Sequence, residues 1–149
     1  MSVALLDDQA LSAVLRGNTP RPLRRFDLAT TGYWYVRLCQ AVLGTTDRPG
    51  VLPGPFADLP ADLRDRAVSA VLELPDDIVL ISLRELAPDI GRLRRRHSLN
   101  ILATEALAAA IRLEAEVILS APSPRLQSAL ADEQLTCRLL SEQRPPGRL

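Results

Sequence analysis

The chain has 149 residues and no net charge, because eighteen arginines balance eighteen acidic side chains. Hydrophobic residues make up 47% of it and charged residues 24%. This length and composition are typical of one globular domain. Zero net charge argues against a broad polybasic surface for nucleic acid or anionic membrane, but it leaves a local basic patch open.

Targeting signals and cysteine usage exclude further classes of protein. No apolar run reaches the ~18 residues of a membrane-spanning helix, and Met1–Gln9 lacks the basic start of a signal peptide. Cys39 and Cys137 are far apart and His97 is the only histidine, which argues against a disulfide scaffold or a structural zinc module. We therefore expect a cytoplasmic protein with no membrane partner.

The first half of the chain alternates short apolar runs with helical patterns. It predicts a strand, a helix, a connector, a second helix and a loop, over Val3–Leu6, Ala10–Leu15, residues 18–27, Gly32–Leu43 and residues 44–57. Thr30 or Thr31 can cap the second helix, and Trp34 is on its predicted inward face.

The second half continues the alternation of strands and helices. Its predicted elements are a helix starting at Asp58–Pro60, a strand over Ile78–Ser82, helices over Pro88–Arg96 and Asn100–Leu113, a strand over Val117–Leu119, a helix over Pro124–Ala131 and a strand over Thr136–Leu140. Ser82 and Glu85 have capping-box spacing, but Pro88 predicts a turn before the next helix. Residues 1–140 are expected to form a single domain and residues 141–149 a flexible tail.

This alternation predicts an α/β fold with a mostly parallel sheet of four to five short strands, flanked by helices on both faces. In such sheets functional groups gather at the carboxyl ends of the strands. Asp7 and Asp8 follow the strand predicted over Val3–Leu6, Ser82 ends the strand predicted over Ile78–Ser82, and Ser120–Ser123 follow the strand predicted over Val117–Leu119.

Two stretches resemble PIN domains. The segment VALLDDQALSAVLRG (Val3–Gly17) is similar to their opening strand, acid and helix, and Ile78–Leu126 continues the likeness through RLRRRHSL, an alanine-rich helix, EVILSA and PSPRL. The resemblance covers most of the chain and implies a three-layer PIN-like fold. It also implies three or four acids at the carboxyl edge of the sheet, since nucleases of this kind hold Mg²⁺ or Mn²⁺ through carboxylates.

The chain fills one of the four acidic positions of that pattern, with Asp7. Between Asp27 and Asp47 the charged residue is Arg37, and the third position is Ala103. Glu105 comes two residues late, about 200° around a helix. The fourth position falls on three residues without a carboxylate, Ala121, Pro122 and Ser123.

Three functions therefore stay open. The first is a degenerate PIN-like domain without nuclease activity or cofactor, which acts as a binding or regulatory protein in a complex. The second is a Mg²⁺-dependent ribonuclease toxin of a bacterial toxin–antitoxin pair, with Asp7, Asp8 and Glu105 as the ligands of Mg²⁺ or Mn²⁺. The third is a small α/β assembly scaffold. The second requires Glu105 and a carboxylate from Asp76, Asp77 or Glu85 near Asp7.

Several other residues have both a functional and a structural interpretation. Asp7 is a remnant metal ligand or a helix cap. The run Arg94, Arg95, Arg96 and His97 is a phosphate-binding patch or a solvated helix C-terminus.

Binding roles are also open for the aromatic helix and for the hydroxyl groups. Tyr33 and Tyr35 are candidates for partner contact, and Arg37 for binding an anion. The hydroxyl groups of Thr104, Ser120 and Ser123 are interpreted as caps or surface groups.

Assembly is expected through the helix around Tyr33–Tyr35 and the helix from Ala61 to Leu72. A protein partner or a homodimer is predicted, and nucleic acid has weaker support because of the zero net charge.

Overall fold

A computed structural model describes residues 2–47 and 60–140 of the chain. Within these residues, five strands β1 to β5 span Val3–Leu6, Asp27–Thr30, Val79–Leu80, Glu116–Leu119 and Cys137–Leu139. Six helices α1 to α6 span Asp8–Leu15, Gly32–Asp47, Ala61–Leu72, Leu83–Arg96, Ile101–Leu113 and Pro124–Asp132, and a 3₁₀ turn spans Arg21–Leu23. Among them, no helix combines the length and the apolar character that crossing a membrane requires.

The strands form one parallel sheet in the order β3-β2-β1-β4-β5. From β1 the chain proceeds outward through β2 and β3, then returns to place β4 on the other side of β1. The carboxyl ends of β1 and β4 therefore flank the point where the strand order reverses, which is where parallel sheets bind ligands. The α/β fold with a mostly parallel sheet between helical layers is confirmed, and its architecture is consistent with a three-layer PIN-like domain.

Each face of the sheet carries its own apolar core, as the two-residue period of a strand requires. Leu5 of β1 packs with residues of α4, α5 and α6, whereas its neighbours Ala4 and Leu6 pack with α1, α2 and α3. Trp34 is 3% exposed and belongs to the first of these cores, which confirms its predicted inward position.

The connector predicted over residues 18–27 was wrong at its end, because β2 begins at Asp27. Asp27 donates its backbone N–H to Ser2, and the Thr30 hydroxyl donates to the carbonyl of Leu6. The strand β2 thus depends on its pairing with β1. Its four residues follow a proline-rich stretch and do not indicate a strand on their own. The loop predicted over residues 44–57 was also wrong at its start, since α2 runs to Asp47; residues 48–57 lie outside the described residues.

The helix predicted to begin at Pro88 instead begins at Leu83 and continues through the proline. The Ser82 hydroxyl accepts the backbone N–H of Arg84 and so caps the start of α4. Because Pro88 is exposed, the Arg84 carbonyl that it leaves unbonded can be solvated, while the buried stripe of Leu86, Ile90 and Leu93 holds the helix on the core. The middle strand is shorter than predicted and comprises only Val79 and Leu80.

Replacing the exposed proline of α4 should stabilise the protein. Pro88→Ala restores one helical hydrogen bond and removes a ring clash, so the free energy of unfolding should rise by up to about 3 kcal/mol. Gly91→Ala is the matched control, because a Cβ at Gly91 meets no atom within 4 Å; it should add about 1 kcal/mol. Urea unfolding measures both, and a Pro88→Ala protein no more stable than wild type contradicts the explanation given for α4.

Candidate functional site

A cleft of about 330 Å³ lies at the carboxyl edge of the sheet, beside the reversal of strand order. The starts of α1, α5 and α6 and the first turns of α2 contribute to its walls. Its polar lining consists of Asp7, Asp8, Gln9, Arg37, Asn100, Ser120 and Ser123. It therefore contains the one acid that the sequence aligned with the PIN pattern.

The Asp7 carboxylate is held by three hydrogen bonds. Its Oδ1 accepts the backbone N–H of Ala10 at 2.9 Å and the hydroxyl of Ser120 at 2.9 Å, and its Oδ2 accepts the backbone N–H of Ser120 at 2.7 Å. The Asp7 N–H in turn donates to the carbonyl of Ile118 at 3.1 Å. One residue thus caps α1 and fastens the end of β1 to the end of β4.

Burial raises the pKa of the Asp7 carboxyl above its ordinary value of 3.8. The hydrogen bonds from Ser120 and Ala10 oppose this effect and the negative charge of Asp8 adds to it, but removal of the carboxylate from water dominates. The native state therefore favours the protonated form of Asp7 more than the unfolded chain does.

Asp8 points to a different partner. Its Oδ2 lies 3.5 Å from Nε of Arg37, whose side chain is 56% exposed. The cleft thus carries a guanidinium beside its two carboxylates, in the helix where the PIN pattern has an acid.

Glu105 is fully buried and does not line the cleft. Its Oε1 accepts the N–H of Tyr33 at 2.8 Å, and its Oε2 lies so near Gly32 that a Cβ there would be 3.3 Å away. The Thr31 hydroxyl accepts the N–H of Trp34 beside it. Glu105 therefore binds the first turn of α2 through Oε1, beside the Thr31 cap, while its Oε2 is buried without a hydrogen-bond partner.

The acids of the nuclease hypothesis do not form a cluster in the part of the chain that the structure describes. Among residues 2–47 and 60–140, no three side chains of the metal-ligating types come together in a way that could hold an ion. Asp7, Asp8 and Glu105, the ligands of the nuclease hypothesis, face Ser120, Arg37 and the start of α2 respectively. The acids Asp76, Asp77 and Glu85 do not complete a set with them.

Two aromatic side chains of α2, those of Trp34 and Tyr35, take part in internal structure. Tyr35 donates its hydroxyl to the carbonyl of Val71 at 3.0 Å and so joins α2 to α3. Burial raises the pKa of Tyr35, with an added contribution from Cys39. Tyr33 is half-buried and donates its backbone N–H to Oε1 of Glu105. Partner contact by Tyr33 or Tyr35 stays a prediction.

The arginine run lies at the end of α4 and does not line the cleft. Arg94, Arg95 and Arg96 are exposed in the last helical turn. Arg96 lies 3.3 Å from Oε1 of Glu133, and Nε2 of His97 contacts the same oxygen at 3.0 Å. The cleft and the arginine run are thus two separate surfaces.

Sequence reasoning missed the role of Ser120, which it interpreted as an ordinary hydroxyl. The signal that could have found it is strand order: Asp7 and Ser120 each follow directly after a strand, and β1 pairs with β4 in register Leu6↔Ile118. Neighbouring strand ends in a parallel sheet bring such residues together. The order of the strands, however, cannot be determined from the local sequence around Asp7 or around Ser120.

Comparison with known proteins adds no relative: no protein-family model matches the chain, and no curated protein matches it.

The raised pKa of Asp7 predicts a specific pH dependence of stability. Because folded Asp7 binds its proton more tightly than the unfolded carboxyl, its contribution to stability is largest at low pH and decreases as pH rises above about 3.8. The melting temperature of wild type should therefore fall relative to that of Asp7→Asn between acidic and neutral pH. A wild-type protein that gains on Asp7→Asn over this range contradicts the dominance of burial.

Proposed function

We propose that the chain is a cytoplasmic PIN-like binding protein that lacks metal-dependent nuclease activity and functions in a protein complex. One observation carries the proposal: each carboxylate that the nuclease chemistry would need is engaged by a different protein group. Ser120 and Ala10 occupy Asp7, Arg37 faces Asp8, and the start of α2 holds Glu105. Metal-assisted phosphodiester cleavage needs clustered oxygen ligands with open positions.

The cation beside the cleft supports the same conclusion. A guanidinium at Arg37 opposes the entry of a divalent ion and favours an anion instead. More than half of this side chain is exposed, so a carboxylate or phosphate of a partner can reach it. The cleft is thus better suited to contact with an acidic group of a partner than to hydrolysis of RNA.

Divalent metal should not stabilise the protein. A ligand that binds only the native state raises the melting temperature, so titration of Mg²⁺ or Mn²⁺ should leave that temperature unchanged. The same preparation should not cut single-stranded RNA in the presence of either ion.

A matched pair of variants makes the metal and RNA experiments decisive. Asp7→Ala removes the acid of the cleft, and Arg84→Ala removes an exposed charge from the start of α4. Metal-dependent cleavage that a folded Asp7→Ala protein, checked by its melting transition, has lost and that Arg84→Ala retains would overturn the proposal and favour the ribonuclease alternative. So would a metal-induced rise in melting temperature that Asp7→Ala removes.

Assembly of the chain with itself has support from the outer face of α2. Val36 is 50% exposed and Leu43 48% exposed, and residues seven apart lie on one side of a helix. Leu63 of the neighbouring helix α3 is 45% exposed. Exposed aliphatic side chains aligned in this way are typical of an interface between subunits, so we propose that α2 and α3 form a homodimer contact.

The homodimer can be tested by its mass. Light scattering at tens of micromolar should give about twice the 16.3 kDa of one chain, and the double variant Val36→Asp, Leu43→Asp should give the mass of one chain. Ile101→Asp is the control, since Ile101 is also exposed but begins α5; it should leave the mass unchanged. A wild-type protein with the mass of one chain rules out this homodimer.

A further inference from the structure

A groove of about 280 Å³ lies between α4 and α5, on the opposite side of the sheet from α2 and α3. Its apolar lining consists of Leu93 of α4 and of Ala108 and Ile111 of α5. Three guanidiniums, those of Arg92, Arg96 and Arg112, surround this apolar lining. Asp89 is its single lining carboxylate among the described residues.

The apolar part of the groove has room for a side chain of a partner. Ile111 is 37% exposed in the groove, whereas Leu93 and Ala108 are 3% and 1% exposed and form its covered floor. The groove is open to solvent, so an apolar side chain of a partner can reach Ile111.

The arginines around the groove are incompletely neutralised by the protein itself. Arg92 and Arg112 share the carboxylate of Asp89, at 2.7 Å and 3.7 Å. At the other end, Arg96 shares one oxygen of Glu133 with His97. Two carboxylates thus contact three guanidiniums and an imidazole, and the guanidiniums keep N–H donors directed to solvent.

Helix dipoles account for only part of this charge. Cations stabilise the last turn of a helix, and the effect falls off beyond that turn. Arg96 and Arg112 are in the last turns of α4 and α5, but Arg92 precedes the last turn of α4. Arg92 and Arg96 are four residues apart and so lie on the same side of α4.

We infer that this groove binds an acidic peptide segment with an apolar anchor side chain. The anchor packs against Ile111 in the groove, and flanking carboxylates pair with Arg92, Arg96 and Arg112. Charge complementarity with the rim selects an acidic segment, and the apolar floor favours a peptide over a nucleic acid backbone, which has no apolar group to place there. The inference rests on the proposed role as a protein-binding domain and assigns to it a second surface and a class of partner.

Fluorescence anisotropy with synthetic probes tests the inference on the full-length protein. The first probe is a labelled amphipathic peptide with leucines at helical i, i+4 spacing and glutamates elsewhere. A second peptide has serine in place of the leucines, and a third has lysine in place of the glutamates. A labelled oligouridylate of equal length represents nucleic acid. The first probe should bind, and each of the others should bind at least about tenfold more weakly.

Matched variants locate the binding. The double variant Arg92→Ala, Arg112→Ala should weaken binding of the first probe by at least about tenfold, and Ile111→Ser should also weaken this binding. Arg84→Ala, at the far end of α4, should leave it unchanged. Because Arg92 and Arg112 are exposed and their contacts with Asp89 contribute little to stability, the variants should keep the wild-type melting temperature, which is measured alongside.

Several outcomes overturn the inference. They are no binding of the acidic leucine peptide, equal binding of the serine peptide, or equal sensitivity to Arg84→Ala and to the double variant. Oligouridylate that binds as tightly as the peptide, with the same loss in the double variant, assigns the groove to nucleic acid instead. Each of these readouts is independent of RNA cleavage and of the homodimer mass, so a failure here is distinct from a failure of the proposed function.

Discussion

The bond network between Asp7 and Ser120 fixes the centre of the molecule. In a parallel sheet whose order reverses between β1 and β4, the two strand ends have no hairpin to hold them. The Asp7 carboxylate supplies that connection with two hydrogen bonds from Ser120, and a third from Ala10 starts α1 from the same atoms. The position of α1, the width of the cleft and the engagement of the carboxylate all follow from this contact.

A carboxylate has about four positions at which it can accept hydrogen bonds, and three of those on Asp7 are used inside the protein. Retention of an acid at the end of β1 is thus explained by structure alone, without a metal. The same holds for Glu105, whose Oε1 accepts the N–H of Tyr33 in the first turn of α2. Acids that match a nuclease-like pattern in a sequence can therefore have a purely structural role.

The sequence predicted those parts of the fold that local patterns determine. The apolar run Val3–Leu6 forms β1 as predicted, and the helix predicted over Asn100–Leu113 is present as α5, which begins at Ile101. It did not predict β2, which depends on pairing with a distant strand, nor the passage of α4 through Pro88, which depends on burial of the other face of the helix. For the cleft, the importance of Asp7 was predictable from its place after β1. Its bond to Ser120 was not, because that contact joins residues 113 positions apart.

The close approach of Glu105 to Gly32 has a consequence for how this protein can diverge. Any residue larger than glycine at position 32 forces the Glu105 carboxylate to move by a few tenths of an ångström. That carboxylate cannot retreat freely, because Oε1 is bound to the Tyr33 N–H in the same helix. Residues 32 and 105 are thus expected to change together. In a descendant of this chain, a side chain gained at 32 is expected to coincide with a shorter residue at 105, and the covarying pair would mark the fold in sequences where little else is retained.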